Sequence, residues 1–154
     1  MYIVAPVAWV SSTYGDGRDG RADQDIATIM LDDRMPDEAL DGVEEFSHLE
    51  IILYFHKADP ARINPELSHP RGNPAYSKVG VVARRGPNRP NHLGLTVVEV
   101  VQRDGRKVIV RGRDALDGSP VIDIRPLMTG LLPRSPVRQP RWADEIMSEH
   151  EKNS

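Results

Sequence analysis

The sequence predicts a mostly β protein, a single-domain small β-barrel with short helices and a C-terminal helix. Short segments rich in β-branched residues are separated by breaks that contain Gly, Pro and Asp. One of these breaks, Asp104-Gly105, is a dipeptide typical of a two-residue β-hairpin turn. The strands do not alternate with helices as they do in a parallel α/β fold. A length of 154 residues fits one domain, and we expect the barrel at 1–140 and a helix with its tail at 141–154.

The first elements follow from local composition. Residues 2–10 (YIVAPVAWV) and 26–31 (IATIML) are apolar enough for strands, and residues 11–25 between them are rich in Gly, Asp and Ser, as loops are. Residues 36–46 have helical character, because Pro36 suits an early helical position and apolar residues follow at spacings of three and four.

Residues 48–57 (HLEIILYFHK) form the strongest strand in the sequence, because β-branched and aromatic residues dominate it. Side chains alternate between the two faces of a strand. One face is apolar and carries Leu49, Ile51, Leu53 and Phe55. The other is mixed and carries His48, Glu50, Ile52, Tyr54 and His56. This pattern suits a sheet wall that lines a pocket.

The later elements rest on the same signals. Four prolines predict a loop at 58–76, and the last helix is predicted at 141–152. Between them we expect a strand at 78–83, a hairpin of 94–103 with 106–113, a short strand at 121–124, and an irregular segment at 126–140.

Composition excludes several classes of protein. The chain has no cysteine, which excludes disulfides and cysteine zinc sites. It has no apolar run near the length of a membrane span, and its first residues lack a basic region typical of a signal peptide. We therefore expect a cytoplasmic protein without a membrane partner. The net charge of −3 combines an acidic first half with a basic second half, which is either a solvated pattern or a local positive surface for an anion.

Two apparent motifs do not support a site. Residues 15–20 (GDGRDG) match the dinucleotide pattern G-x-G-x-x-G, but no helix is predicted to follow, and the two aspartates would repel a phosphate. Of the five histidines, His48 and His56 share a strand face, yet they would lie about 26 Å apart at the usual rise per residue. No compact ligand set is evident, so we expect no metal.

The segment 84–95 (RRGPNRPNHLGL) is the strongest candidate for a functional loop. Three arginines lie beside two asparagines and two prolines. Guanidinium groups match carboxylate and phosphate geometry, although a solvated basic loop is the simpler alternative. The segment 112–126 (GRDALDGSPVIDIRP) places aspartates around a turn. These carboxylates could accept hydrogen bonds from ribose hydroxyls or an ammonium group, or they could serve only in Asx turns.

Three segments together, EEFSHLEIILYFHK, GVVARRGPNRPNHLGLTVVEV and DALDGSPVIDIRP, resemble the signature blocks of the TrmO (YaeB-like, TsaA-like) family. The resemblance covers roughly residues 43–126. It implies a small β-barrel enzyme, usually a homodimer, that uses S-adenosyl-L-methionine. It also implies methylation of N6 of N6-threonylcarbamoyladenosine at position 37 of tRNA.

The same resemblance suggests a set of site residues. Those expected to bind the cofactor are His56, Lys57, Arg85, Leu95, Asp114, Ala115, Leu116 and Asp117. Arg89 and Asn91 are candidates for contacts with the substrate or a second protomer, and no catalytic base is identified. Ser11 stands where family members often have arginine, and Gln24 is a weak match to a cofactor stretch. A methyltransferase acting on another acceptor, or a noncatalytic RNA- or nucleotide-binding barrel, are the alternatives.

Overall fold

A computed structural model describes residues 1–12, 26–112 and 117–152. These residues form six antiparallel strands that close into a barrel, as the sequence predicts. A helix, α1, follows at Arg141–Lys152. The strands are β1 Ala8–Ser12, β2 Ile26–Leu31, β3 His48–Tyr54, β4 Leu93–Asp104, β5 Lys107–Arg111 and β6 Pro120–Pro126.

The strand order around the barrel is β1-β2-β5-β4-β3-β6. β3 lies between β4 and β6 and pairs along most of its length with both. The barrel is closed by a short seam, where Ala8 pairs with Val121 and Trp9 with Pro120. Closure removes the free strand edges that would otherwise pair with other chains. The seam that closes the barrel joins β1 to β6, two strands that are distant in sequence.

The core is built from alternate residues of the strands. Leu49, Ile51 and Leu53 of β3 are each at most 2% exposed, which confirms the apolar face expected from the sequence. They pack with Val108 and Val110 of β5 inside the barrel. Removing apolar surface from water stabilises the fold by about 25 cal/mol per Å². A one-residue slip of a strand would turn its buried side chains out to solvent, so this burial fixes the register of each strand.

The predicted hairpin forms with a shift of one residue. Asp104 pairs with Lys107, so the two turn residues are Gly105 and Arg106, not Asp104 and Gly105. Gly105 has φ +58°, the left-handed conformation that a primed hairpin turn requires. Arg106 is held in the turn because its guanidinium donates to the carbonyl of Asp32 at 2.8 Å and to that of Met35 at 3.0 Å.

Other local predictions were wrong in part. Residues 36–46 form two 3₁₀ helices, Asp37–Leu40 and Val43–Glu45, instead of one α-helix, because Gly42 lies between them at φ +86°. The strand expected at 78–83 is reduced to a single bridge between Ser68 and Val79, and Val81–Ala83 is a 3₁₀ turn. The described barrel strands are already paired with one another, so this segment has no strand edge to join.

The first strand is also shorter than predicted. β1 begins at Ala8, and the preceding apolar residues Met1 to Val4 are highly exposed. Pro6 has no N–H to contribute to a ladder, which fits the late start of the strand. Within the described ranges, no helix is both long enough and apolar enough to cross a membrane.

The connection between β2 and β3 covers one end of the barrel. Arg103 in β4 bonds Asp41 at 2.6 Å, and Arg106 contacts Asp37, so the two 3₁₀ turns are tied to the hairpin. At the start of this connection, Asp32 accepts hydrogen bonds from Arg34 and from the indole of Trp9. These bonds hold the pKa of Asp32 well below its ordinary value.

Candidate functional site

The end of β3 and the beginnings of β4 and β6 lie at one end of the barrel. Leu53 pairs with Gly94 of β4 on one side and with Val121 of β6 on the other. The residues just beyond these paired positions belong to the three segments that resemble the family's signature blocks. The register therefore brings Phe55–Lys57, the arginine-rich loop and the turn before β6 to the same end, although they are distant in sequence.

His56 lies against the turn that precedes β6. A Cβ built on Gly118 would stand 3.9 Å from His56 Nε2. Gly118 has φ +76° and donates from its N–H to the carbonyl of Val10 at 2.8 Å, which ties the turn to β1. The predicted cofactor residue His56 thus lies beside Gly118, the chain neighbour of another predicted residue, Asp117.

Arg85 and Leu95, also predicted for the cofactor, are in direct contact. The Arg85 guanidinium donates to the carbonyl of Leu95 at 3.0 Å. Leu95 pairs with Ile52 of β3, and its side chain is half exposed on the outside of the barrel. This bond joins the arginine-rich loop to the first residues of β4.

Sequence reasoning did not identify Phe55, His92 and Gly94 as important to the site. His92 adopts φ +53°, is buried, and stacks on Tyr54 with ring centroids 5.9 Å apart. Its carbonyl accepts from the N–H of Phe55 at 2.8 Å. The Phe55 ring covers Gly94 so closely that a Cβ there would lie 2.4 Å from Phe55 Cζ. The sequence signal for this contact was the glycine at position 94, because glycine has no Cβ and allows another side chain to approach the backbone closely.

Arg84 and Arg89 are turned toward the protein. Arg84 donates to the hydroxyl of Ser68 and to the carbonyl of Asn64 at 3.3 Å. Arg89 donates to the carbonyl of Arg84, and its own carbonyl accepts from His92. Asn91, the other candidate for substrate contacts, is exposed.

The remaining predicted residues divide into two groups. Lys57 and Asp117 are exposed at the site. Asp114, Ala115 and Leu116 lie outside the described residues, as do Gln24 and the G-x-G-x-x-G segment at 15–20.

The charge near the site is positive. Residues 57–95 contain seven Lys or Arg and two Asp or Glu, a formal charge of +5 with histidine neutral. Lys57, Lys78 and Arg85 are among the exposed cations of this segment. A surface of this kind attracts phosphate groups through space and strengthens their encounter with the protein at low salt.

A pocket of about 400 Å³ lies at the opposite end of the barrel. Its wall is mostly apolar and includes Leu40, Phe46, Leu49 and Ile124, below the two 3₁₀ turns. None of the predicted site residues that the structure describes lines it. No group of three or more potential metal ligands occurs among the residues that the structure describes.

Comparison with known proteins agrees with this arrangement of blocks. The family model described as the tRNA-methyltransferase O N-terminal domain matches residues 11–131. The chain belongs to the TrmO family. The match includes all three blocks that converge at the end of β3, and it confirms the resemblance found in the sequence.

Two relatives illustrate the range of the family. A mouse protein named tRNA (adenine(37)-N6)-methyltransferase is 42% identical over 91 residues, which are 59% of this chain and 21% of the mouse protein. A protein of Archaeoglobus fulgidus named S-adenosyl-L-methionine-binding protein is 32% identical over 123 residues, 80% of this chain and 87% of the relative. The chain therefore spans about a fifth of the mammalian relative and most of the archaeal one.

The barrel itself is shared with solved structures. The crystal structure of TrmO from Pseudomonas aeruginosa superposes with a TM-score of 0.66 at 24% identity, over 90% of this chain and 61% of that one. This likeness confirms the closed antiparallel barrel.

Proposed function

We propose that this chain is an S-adenosyl-L-methionine-dependent methyltransferase that acts on N6 of N6-threonylcarbamoyladenosine at position 37 of tRNA. Membership of the TrmO family and the names of its relatives support the reaction class, the cofactor and the tRNA substrate. The observation that carries the proposal is structural. His56 lies beside the Asp117–Gly118 turn and Arg85 is bonded to Leu95, and both contacts are at the same end of the barrel.

The side chains at this end suit the chemistry of the cofactor. A ribose diol and an ammonium group both donate hydrogen bonds, and the exposed Asp117 carboxylate is an acceptor for either. A methionine carboxylate matches the exposed cations Lys57 and Arg85. The half-exposed Leu95 side chain gives an apolar surface for a purine face. The donor set therefore fits S-adenosyl-L-methionine.

In this proposal the protein contributes mainly alignment. The cofactor supplies an activated methyl group on a sulfonium. His56 and the Gly118 turn fix one side of the site, and the Arg85–Leu95 bond fixes the other, so that donor and acceptor are held in line. Arg89 and Asn91 lie in the loop beside the cofactor residues, where they would contact the threonyl carboxylate or an RNA phosphate.

Binding of the cofactor is tested by isothermal titration with S-adenosyl-L-methionine. We expect saturable binding that weakens about tenfold or more in Arg85→Ala and Asp117→Asn. Lys152→Ala, which removes an exposed cation at the far end of α1, is the matched control and should bind like the parent protein. Absence of binding at millimolar cofactor would contradict the proposal.

We also propose a homodimer located in the cytoplasm, where its tRNA substrate is found. An apolar surface on the outside of β3 and β4 supports the dimer, because its side chains are 37–48% exposed. It consists of Tyr54, Leu93, Val97 and Val101. Such exposed patches are typical of association sites. Light scattering after gel filtration should give twice the mass of one chain, and Val97→Lys should give the monomer mass.

A second candidate is a methyltransferase with a different acceptor. Ser11, at the end of β1, stands where many family members have arginine. The carbonyl of Val10 accepts from Gly118, so Ser11 follows a residue bonded directly to the site. Methyl transfer to unmodified tRNA or to a small molecule, with none to N6-threonylcarbamoyladenosine, would favour this alternative.

A further inference from the structure

We infer that the C-terminal helix α1 sets the position of the arginine-rich loop through a chain of contacts, with Tyr76, His69 and Arg84 as positioning residues. Its consequence for catalysis rests on the proposed function, but the contacts themselves do not. The chain begins at α1, runs through the loop between β3 and β4, and ends at the residues beside Arg85.

The first contact joins α1 to Tyr76. The Trp142 ring lies 6.5 Å from the Tyr76 ring, measured between centroids, at an interplanar angle of 40°. Burial and the nearby Glu145 carboxylate raise the pKa of Tyr76. Glu145 is also held by Arg141 at 2.8 Å. The aromatic contact thus places Tyr76 against the first turns of the helix, beside the Glu145 carboxylate.

The second contact joins Tyr76 to His69. His69 Nδ1 lies 2.6 Å from the carbonyl oxygen of Tyr76. A carbonyl can only accept, so Nδ1 carries the proton in this contact. The bond closes a turn that includes Gly72 at φ +69° and Arg71 at φ +51°, and the positive φ of Arg71 is an unusual conformation that needs support from neighbouring contacts.

The third contact joins the residue before this turn to the arginine-rich loop. Ser68, next to His69, pairs with Val79 through two backbone bonds of 3.0 and 3.1 Å, and its hydroxyl accepts from Arg84. Arg84 Nε is buried and has no hydrogen-bond partner in the part of the chain that the structure describes. Burying an N–H that has no hydrogen-bond partner is unfavourable. The hydrogen bonds from Arg84 to the Ser68 hydroxyl and the Asn64 carbonyl offset this cost and hold the guanidinium in place.

The last contact transfers this position to the site. The Arg84 carbonyl accepts from Arg89, and the next residue, Arg85, donates to Leu95. A shift of Arg84 would therefore move a proposed substrate residue and a proposed cofactor residue together. A helix at the end of the chain controls the loop in this way, although it contributes none of the proposed ligand-binding residues.

Hydrogen exchange tests the chain of contacts in the full-length protein. Trp142→Ala removes the ring that packs on Tyr76, and His69→Ala removes the Nδ1 donor. We expect the amides of Arg84, Arg89 and His92 to exchange about tenfold faster in both variants, with barrel amides unchanged. His69→Asn places an amide donor near the Nδ1 position and should restore most of the protection. Met147→Ala, on an exposed position of α1, is the control and should not change it.

Unchanged exchange in the loop of both Trp142→Ala and His69→Ala would overturn the inference. Equal acceleration in the loop and the barrel would overturn it as well, because it would indicate global destabilisation. In the methylation assay, we expect both variants to raise the KM for tRNA and the Kd for S-adenosyl-L-methionine, each by about tenfold. If the parent protein has no methyltransferase activity, the proposed function fails, and the exchange data still decide the structural inference.

Discussion

Substitution of Gly94 by alanine tests the packing that holds the site at the end of β3. The new methyl group would lie 2.4, 2.8 and 3.1 Å from three carbons of the Phe55 ring. Favourable carbon–carbon contacts need about 3.5–4.0 Å, so the ring would have to move by roughly 1 Å or more. Phe55 immediately precedes His56, and Gly94 precedes Leu95. The clash should therefore disturb both stability and the proposed cofactor site.

The expected loss of stability follows from known costs of overpacking. Extra methyl groups in well-packed positions destabilise proteins by about 1–3 kcal/mol. For a chain of this size, the melting temperature falls by about 2–4 °C per kcal/mol. Gly80→Ala is the matched control, because Gly80 has φ −69° and, among the described residues beyond its chain neighbours, no atom lies within 4 Å of the place its new methyl group would take. It should change stability by less than about 0.5 kcal/mol.

Urea unfolding of a double-mutant cycle isolates the clash. In a Phe55→Ala background the ring is gone, so Gly94→Ala should cost less than about 0.5 kcal/mol. The coupling between the two positions would then be about 0.5–3 kcal/mol. An equal cost of Gly94→Ala in both backgrounds would refute the reasoning, because backbone conformation and not the ring would then explain the glycine.

Three further predictions concern stability and binding. Asp32→Asn should be less stable than the parent at neutral pH. The pKa of Asp32 is lower in the folded protein than its ordinary value near 3.8. Its carboxylate therefore stabilises the fold fully above that ordinary value, and this stabilisation is lost as pH falls toward the folded-state pKa. Urea unfolding from pH 7 to pH 3 should show the difference in stability between the two proteins shrink below about pH 4. Leu53→Ala should cost about 2–5 kcal/mol because the side chain is only 2% exposed, whereas Leu67→Ala, at a 63% exposed position, should be nearly neutral in the same assay. S-adenosyl-L-methionine at 100 times its Kd should stabilise the protein by about 2.7 kcal/mol, which a thermal melt detects, and no rise in melting temperature would argue against cofactor binding.

The regular parts of the fold were predictable because their signals are local. Alternation of apolar residues identified β3, and its buried face is the one expected. The Asp104-Gly105 dipeptide predicted the hairpin, but the one-residue shift depends on Arg106, whose partners lie about 70 positions earlier in the chain. The C-terminal helix was predicted at the residues where it occurs.

The segments that failed depend on distant partners. Residues 78–83 have the composition of a strand, but the barrel closes without them, and only Val79 forms a bridge. The apolar start of the chain lies outside β1 for a similar reason, because the β1–β6 seam is only two residue pairs long. Local composition does not contain this information.

The sequence suggests candidate residues for the site but not the contacts between them. The three blocks nominate His56, Arg85 and Leu95, yet the sequence does not show that Arg85 reaches the Leu95 carbonyl. The burial of Arg84 Nε and the contact between Trp142 and Tyr76 could not be predicted either, because both depend on segments that are distant in sequence. The family resemblance suggests candidate site residues, whereas the three-dimensional contacts show which other residues hold those candidates in place.

The most direct test of the proposed function is mass spectrometry of tRNA nucleosides from a strain that lacks this protein. We expect N6-methyl-N6-threonylcarbamoyladenosine to disappear, its unmethylated precursor to accumulate, and the parent gene to restore the methylated nucleoside. An Arg85→Ala gene should restore less of it. An unchanged level of the methylated nucleoside in the deletion strain would contradict the assignment of this chain as the tRNA methyltransferase.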